Sequence, residues 1–297
     1  MPLTLPRAFP LALVTALLAA GCAAPNFVGQ TGRVTPARSF RASLGAGYQL
    51  NTSAADVVRS GRKVAETLRS KGVSCVDPSQ GPTCWNVADV KPVVDAAYRF
   101  ALVAPLASTM QVQAHYGIVD RLEVGGRLGS GNKGLDVGWQ FLGPTDRAEP
   151  GWAGMLSAGW GTRDMGTLGS VIESLLRGEA KLTDWQATMI FGRQFGEFGH
   201  FFVGPRYIMS RWKLLVLPDI PIIYDASEQQ KALLGTDASG TIHHVGATIG
   251  GAVGYRYVFL GAELNLLQSI GGARILFDQK KFNSFGVMPA VYLTGTY

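Results

Sequence analysis

Hydrophobic and polar residues alternate with a period of two along six segments of the chain. In residues 39–50, for example, Phe40, Leu44 and Tyr48 fall on one face, while Arg41 and Gln49 fall on the other. Successive side chains of a β-strand point to opposite faces of the sheet, so this period predicts strands with one apolar and one polar face. The six segments are 39–50, 109–116, 121–128, 135–141, 184–191 and 244–255.

Four further segments keep the same period with exceptions: 152–160, 200–210, 258–267 and 285–297. In the first of them Met155 lies among the small residues, and Pro205 and Pro289 each remove one backbone N–H from a strand ladder. The two sets together predict ten strands.

The predicted connections differ in length between the two ends of the strands. Short links follow strands two, four, six and eight, at 117–120, 144–150, 196–199 and near Arg256. Long links follow strands one, five, seven and nine, at about 51–104, 162–182, 212–242 and 268–284, and only 129–134 breaks the rule by being short. Short turns at one end and long loops at the other are typical of a barrel that crosses the bacterial outer membrane, with its short turns in the periplasm.

Over residues 37–297 the chain therefore resembles the transmembrane β-barrels of the Gram-negative outer membrane. Val291, Leu293 and Tyr297 match the alternating C-terminal assembly signal of that family, although Gly295 and Pro289 depart from it. The resemblance implies an all-β, antiparallel up-and-down transmembrane barrel of about ten strands, inserted by the barrel-assembly machinery. The basic amphipathic stretch 56–71 predicts a short helix in the first long loop.

Alternation alone does not show which face points outward, because a lipocalin-like carrier has the same period with its apolar face inside. Three features favour an apolar face toward lipid. The polar face carries charges of both signs, aromatic residues fall near the segment ends as at a membrane interface, and ten strands exceed the eight of a lipocalin. The predicted lumen charges are Arg41, Arg121, Glu123, Arg127, Asp136, Asp184, Arg206, Arg256 and Glu263.

Residues 1–21 predict an export signal. A single charge, Arg7, precedes an apolar run ending at Ala20 that is too short to span a bilayer comfortably. The small residues before Cys22 resemble the lipobox of bacterial lipoproteins, which implies cleavage before Cys22, a diacylglycerol on its thiol and acylation of the new amine. Ala23, in place of an aspartate, implies delivery to the outer membrane. The alternative is an ordinary cleaved signal with a chance cysteine; in either case residues 22–36 form a linker.

The other two cysteines, Cys75 and Cys84, flank a turn that contains proline and glycine. In an exported protein this spacing predicts a local disulfide within the loop 51–104, and metal binding is the weaker alternative because no histidine lies nearby. The formal net charge of +6 is spread along the chain without a basic stripe, so nucleic-acid binding is not implied. The sequence contains no recognisable cofactor motif.

Catalysis on such a barrel needs a base beside a nucleophile or a water molecule at the rim. The catalytic candidates are His243 and His244, near Asp237 and Ser239, and the alternative is that both histidines are polar residues of the membrane interface. Nine inward charges would leave a ten-stranded barrel little open space. The sequence therefore predicts a non-enzymatic surface structural or interaction protein, or a narrow conduit, in contact with outer-membrane lipid and lipopolysaccharide. A lipid-anchored lipocalin-like carrier and an outer-membrane hydrolase are the alternatives.

Overall fold

The computed structural model describes residues 29, 31–52, 106–129, 132–146, 149–164, 180–214, 238–275 and 278–297. The export signal, Cys22, the helix predicted at 56–71 and the Cys75–Cys84 disulfide all lie outside these residues. No helix in the described ranges is long and apolar enough to cross a membrane. The ten strands are β1 Phe40–Asn51, β2 Leu106–Val119, β3 Leu122–Gly129, β4 Asn132–Leu142, β5 Gly151–Asp164, β6 Ala180–Gln194, β7 Gly199–Leu214, β8 Ala238–Tyr255, β9 Val258–Ile275 and β10 Asp278–Thr296.

The strands form a closed antiparallel barrel in which each strand pairs with its neighbours in sequence and β10 pairs with β1. At the seam, Phe40 N donates to Tyr297 O at 2.8 Å and Tyr297 N donates to Phe40 O at 2.7 Å. Closure leaves no sheet edge with unpaired backbone groups. The predicted ten-stranded up-and-down barrel is confirmed.

The strands are strongly tilted. A row of backbone partners that starts at Ser39, opposite Gly117, passes through every strand and returns to β1 at Asn51, opposite Gly286. Such a stagger is the geometry that closes a small barrel whose interior is just wide enough for side chains. Residues 120–121, 143–150, 195–198 and 256–257 connect strands at one end, called the turn end, and the opposite end is called the loop end.

The last two strands extend well beyond the segments that the apolar period predicts. β9 continues to Ile275 and β10 begins at Asp278, so the long connection predicted at 268–284 is wrong. Between residues 268 and 284 the outward positions of β9 and β10 include Gln268, Lys281 and Asn283. These polar residues interrupt the apolar series although the backbone pairing continues. The period is lost there because the outer face is no longer apolar.

Large apolar side chains point outward on all ten strands. The most exposed include Val253, Leu135 and Leu128, at 71%, 66% and 64% of their full accessible surface. This apolar belt surrounds the barrel and far exceeds the patches of a few hundred Å² that soluble monomers expose. The inner face is polar at most positions, so the distribution of polarity is the reverse of that in a water-soluble barrel.

Candidate functional site

Buried ion pairs line the lumen. Arg41 Nη2 lies 2.8 Å from Glu123 Oε1 and Arg127 Nη1 lies 3.0 Å from Asp136 Oδ1, with the side chains of both pairs almost fully buried. Gln186 Nε2 also donates to Asp136 Oδ1, at 2.8 Å. Burying a charge is costly unless it is paired, and these cross-strand contacts give each of the four charges a partner of opposite sign.

Two further groups of charges lie in the lumen. Arg163 forms a bidentate pair with Asp184, from Nε to Oδ2 at 2.7 Å and from Nη2 to Oδ1 at 3.0 Å. Arg206 reaches Glu263 through an intervening amide: Arg206 Nη1 donates to Asn265 Oδ1 at 2.8 Å, and Asn265 Nδ2 donates to Glu263 Oε1 at 2.7 Å. Four arginines and four carboxylates therefore face one another inside the barrel.

Arg163 is absent from the charges predicted for the lumen, because the apolar alternation of its strand ends at Trp160 while the strand continues to Asp164. Arg163 lies six positions after the inward Ser157, and this even spacing is the signal that could have found it. Seven of the nine predicted charges have buried side chains: Arg41, Glu123, Arg127, Asp136, Asp184, Arg206 and Glu263.

The prediction of a lumen position is wrong for Arg121 and Arg256, because neither lies in the lumen. Both occupy turns at the turn end with positive φ angles of 69° and 52°, so the alternation of the following or preceding strand does not extend to them. Arg121 is exposed and donates to the Gly143 carbonyl oxygen at 3.1 Å. Arg256 is about half exposed, lies 3.2 Å from Glu197 Oε2 and stacks over the Tyr255 ring at 5.0 Å.

Inward glycines make room for the charged side chains of the neighbouring strand. A Cβ atom added at Gly138 would lie 2.9 Å from Glu123 Cγ, and one added at Gly134 would lie 2.8 Å from Arg127 Nε. Both side chains therefore lie flat against bare backbone of the adjacent strand. Glycine in a strand commonly marks such a close approach, and here it allows long charged side chains to fit into a narrow lumen.

Residues 31–36, which we call the strap, lie inside the barrel at the turn end. Thr35 donates to Glu123 Oε2 from both its backbone N, at 2.6 Å, and its Oγ1, at 2.7 Å. Val34 N donates to Gln140 Oε1 at 3.2 Å, and just before the strap Gly29 N donates to Glu263 Oε2 at 3.2 Å. Lumen side chains thus hold a segment that the sequence pattern assigns to a linker.

Packing and shape add to this hold on the strap. The Val34 side chain joins a buried apolar cluster of the barrel wall, which includes Phe202, Phe259 and Tyr292. Gly32 has a φ of +77°, and a Cβ atom there would lie 2.9 Å from Gly192 N, so only glycine fits without displacement.

Arg33 closes the strap against the turn between β4 and β5. Its Nη1 and Nη2 each donate at 2.7 Å, to the carbonyl oxygens of Asp146 and Glu149. Burial lowers the pKa of Arg33, while the Glu149 and Asp146 carboxylates oppose that shift. A cavity of about 30 Å³ lies beside the strap and is lined in part by Arg33, Arg41 and His200. It has room for one or two water molecules.

His243 and His244 point to opposite faces of β8. The His243 ring faces outward, where its Nδ1 hydrogen-bonds Tyr207 OH at 2.7 Å. His244 is buried in the lumen, where its Nδ1 hydrogen-bonds Ser269 Oγ at 2.7 Å. Because neighbouring strand residues alternate, the two histidines cannot act on one substrate. Asp237 lies outside the described residues, and Ser239 is exposed.

Among the described residues, no carboxylate is available to orient the His244–Ser269 contact. Asp184, the nearby candidate, already binds Arg163 and accepts a bond from Ser210 Oγ at 2.5 Å. An activated serine needs a base that a third group orients, so this arrangement is better suited to structure than to nucleophilic catalysis. Among the described side chains no group of three histidine, cysteine or acidic residues could hold a metal ion.

No family model and no curated protein matches the sequence. Among solved structures, the chain is similar to Ail, the attachment invasion locus protein of Yersinia pestis, at 7% identity, with 88% of this chain and 99% of that chain covered and a TM-score of 0.35. It is also similar to Neisserial surface protein A, at 10% identity, 86% and 96% coverage and a TM-score of 0.33. For the outer membrane protein OprG from Pseudomonas aeruginosa these values are 8%, 90%, 99% and 0.27. Since these three TM-scores are below 0.5, the fold rests on the strand pairing of this chain.

Proposed function

We propose that this protein is an integral β-barrel of the Gram-negative outer membrane, with a structural or interaction role at the cell surface and no catalytic role. The observation that carries the proposal is the reversed polarity of the barrel: apolar side chains outside and paired charges inside. A closed barrel satisfies every strand ladder internally, as the interior of a bilayer requires. The apolar belt would then contact lipid, whereas in water it would favour aggregation.

The filled lumen favours a scaffold over a wide pore. The Arg41–Glu123 pair, the strap and the apolar cluster around Val34 occupy the turn end, and the other charge pairs lie farther toward the loop end. The lipocalin-like carrier would instead need an open apolar cavity facing inward. The long connections at the loop end would present the surface that contacts partners, among which we include lipopolysaccharide and outer-membrane lipid.

The lipid anchor at Cys22 and the Cys75–Cys84 disulfide belong to the same proposal. They rest on the lipobox-like residues before Cys22 and on the turn-forming residues between the other two cysteines. Acyl chains on Cys22 would tether the N-terminus to the inner leaflet, on the side of the short turns, and the barrel-assembly machinery would insert the strands. An acylated cysteine adds membrane affinity, but the barrel does not require it to remain integral.

The test is an electrophoretic comparison of boiled and unboiled outer membranes that contain the wild-type chain or Cys22→Ser. A folded barrel migrates faster before boiling, and we expect this shift, together with resistance to alkaline extraction, in both proteins. Metabolic labelling with radioactive palmitate should mark the wild type and leave Cys22→Ser unlabelled. If Cys22→Ser is released as a soluble protein, the chain is a lipid-anchored carrier and the membrane barrel is wrong.

A further inference from the structure

The lumen has two unlike walls. On the side of β7–β10 the lumen contains a fully buried apolar cluster, formed by Ile208, Leu267 and Met288. On the side of β1–β4 the buried inward side chains are all polar: the charged Arg41, Glu123, Arg127 and Asp136, and uncharged residues such as Ser43 and Gln113. Side chains of this second kind cannot fill their half of the lumen with apolar packing. We call the inward face of β1–β4 the polar wall.

Buried polar atoms without a hydrogen-bond partner are concentrated on the polar wall. Among the described side chains they include Gln111 Nε2, both ring nitrogens of His115, Nε and Nη2 of Arg127, and Asn132 Oδ1. Buried polar groups in proteins nearly always bond to protein or to ordered water, and ordered water typically makes about three such bonds. These atoms are the ones that internal water would satisfy.

The residues that carry these atoms follow one another along the barrel. Asn132, at the loop end of β4, pairs with Gly129, and the site of a Cβ atom at Gly129 adjoins Gln111. Closer to the turn end Arg127 pairs with Gln113, and His115 pairs with Arg41 of β1. The series therefore runs from the loop end to the Arg41–Glu123 pair, where it meets Thr35 of the strap.

We infer that the polar wall holds a file of water molecules and that the strap closes this file at the turn end, so that the barrel is a gated conduit for water and small ions. The inference rests on the proposed membrane barrel and adds to it an activity and a gate. Glu123 joins the two parts, because it pairs with Arg41 of the polar wall and accepts both hydrogen bonds from Thr35 of the strap.

The strap is held by side-chain hydrogen bonds, which include those of Arg33 to the turn between β4 and β5. The hydrogen bonds of Val34 and Thr35 described above go to the side chains of Gln140 and Glu123, so breaking them removes no bond from a strand ladder. The apolar contact of Val34 is a single side chain in a cluster that the wall residues largely complete by themselves. In the proposed gate, opening would break these side-chain contacts and keep the strand pairing.

The first test measures the ion conductance of the full-length protein in planar bilayers, with Gly32→Ala as the opening variant. Gly32 and Gly196 both have positive φ, at +77° and +58°, but only Gly32 has neighbouring atoms within 4 Å of an added Cβ. Gly196→Ala is therefore the matched control for backbone strain. We expect Gly32→Ala to raise the mean conductance about tenfold by shifting the population toward the open state, and Gly196→Ala to conduct like the wild type.

The second test locates the path with single cysteines in a background whose native cysteines are serine. Gln113→Cys places a thiol on the polar wall, and Met288→Cys places one in the apolar cluster of the opposite wall. In the Gly32→Ala background we expect a small charged methanethiosulfonate reagent to modify the Gln113→Cys thiol about tenfold faster than the Met288→Cys thiol. The reason is that the reaction needs a hydrated thiolate. Equal rates for both thiols would overturn the water file on β1–β4.

The heat-dependent gel shift separates failure of the gate from failure of the barrel. If no protein shows the shift, the proposed membrane barrel itself is wrong. If Gly32→Ala shows the shift but conducts like the wild type, or if Gly196→Ala conducts equally well, the strap is not the gate. Should Gly32→Ala alone fail to fold, Thr35→Val decides: it removes one bond to Glu123 at constant shape, and unchanged conductance in that folded variant also overturns the gate.

Discussion

The ion pair between Arg163 and Asp184 allows a quantitative test of what the charged lumen contributes to stability. Two nitrogen–oxygen contacts of 2.7 and 3.0 Å join the side chains, whose exposed fractions are 6% and 0%. At such a separation, an effective dielectric constant of about 20 gives an attraction of about 5–6 kcal/mol. The loss of hydration of both charges offsets most of this attraction, so the intact pair adds little net stability.

Removing one partner should cost much more than removing both. Asp184→Asn keeps the shape but leaves the Arg163 guanidinium buried without its counter-charge, and we expect the free energy of unfolding to fall by about 3–5 kcal/mol. The double variant Arg163→Met with Asp184→Leu removes both charges and keeps most of the volume. Its stability should lie within about 1–2 kcal/mol of the wild type, because well-packed apolar residues often replace a buried ion pair without loss.

The assay is urea unfolding in detergent micelles, followed by the loss of the fast-migrating band on unboiled gels. Glu197→Gln provides the control, because it breaks the Arg256–Glu197 pair, whose contact of 3.2 Å is similar but whose side chains are 54% and 44% exposed. Exposed pairs contribute less than about 1 kcal/mol. The reasoning is refuted if Asp184→Asn and Glu197→Gln cost the same, or if the double variant is as unstable as Asp184→Asn.

Three further predictions concern the belt, a turn and a glycine, and all use the same unfolding assay. Ile249→Arg in the middle of the outer face should cost about 2–4 kcal/mol and Val253→Arg near the turn end at most about 1 kcal/mol, and equal costs would contradict a lipid-facing belt. Arg121→Val should destabilise by about 1–2 kcal/mol because its φ is 69°, whereas Arg121→Gly should not, and a neutral valine would remove the backbone argument. Gly125→Ala should cost about 1–3 kcal/mol, because its Cβ would collide with the buried imidazole of His115. Gly126→Ala is the control, since the nearest atom to a Cβ at Gly126 is 3.6 Å away. Equal effects of the two substitutions would show that the imidazole moves freely.

The sequence predicted the strands because each of them separates an apolar surface from a narrow polar lumen. That contrast gives a strict period of two, which persists through Pro205 and Pro289, whose side chains are exposed on the outer face. Where the outer face becomes polar, the backbone pairing of the strands continues, and Gln268 Nε2 donates a hydrogen bond to Asn283 Oδ1. The period then disappears, so the sequence predicts a loop there.

The lumen was only partly predictable for a different reason. The period identifies residues such as Asp184 as inward, but it does not say which partner across the barrel each of them meets. The strap could not be found from the sequence, because residues 31–36 show no alternation. Its main partner, Glu123, lies 88 positions after Thr35 in the chain. Contacts of this range follow from closure of the barrel and leave no local signal.

Replacing Glu123 or Asp184 by its amide should have different effects on conductance, because the Glu123 carboxylate holds the strap and the Asp184 carboxylate does not. Glu123→Gln leaves Arg41 without its counter-charge and weakens both bonds from Thr35, since hydrogen bonds to a charged acceptor are about twice as strong as neutral ones. It should therefore lower the free energy of unfolding by about 3–5 kcal/mol and also raise conductance.

Asp184→Asn should lower stability by a similar amount and leave conductance at the wild-type level, because the strap has no described bond to Asp184. The two readouts thus separate the stability of the barrel from the closure of its turn end. If Asp184→Asn raises conductance as much as Glu123→Gln does, general loosening of the barrel opens the lumen and the strap has no specific part in closing it. If Glu123→Gln loses stability without gaining conductance, the strap stays in place on its apolar contact, and the bonds from Thr35 are not what keeps the turn end closed.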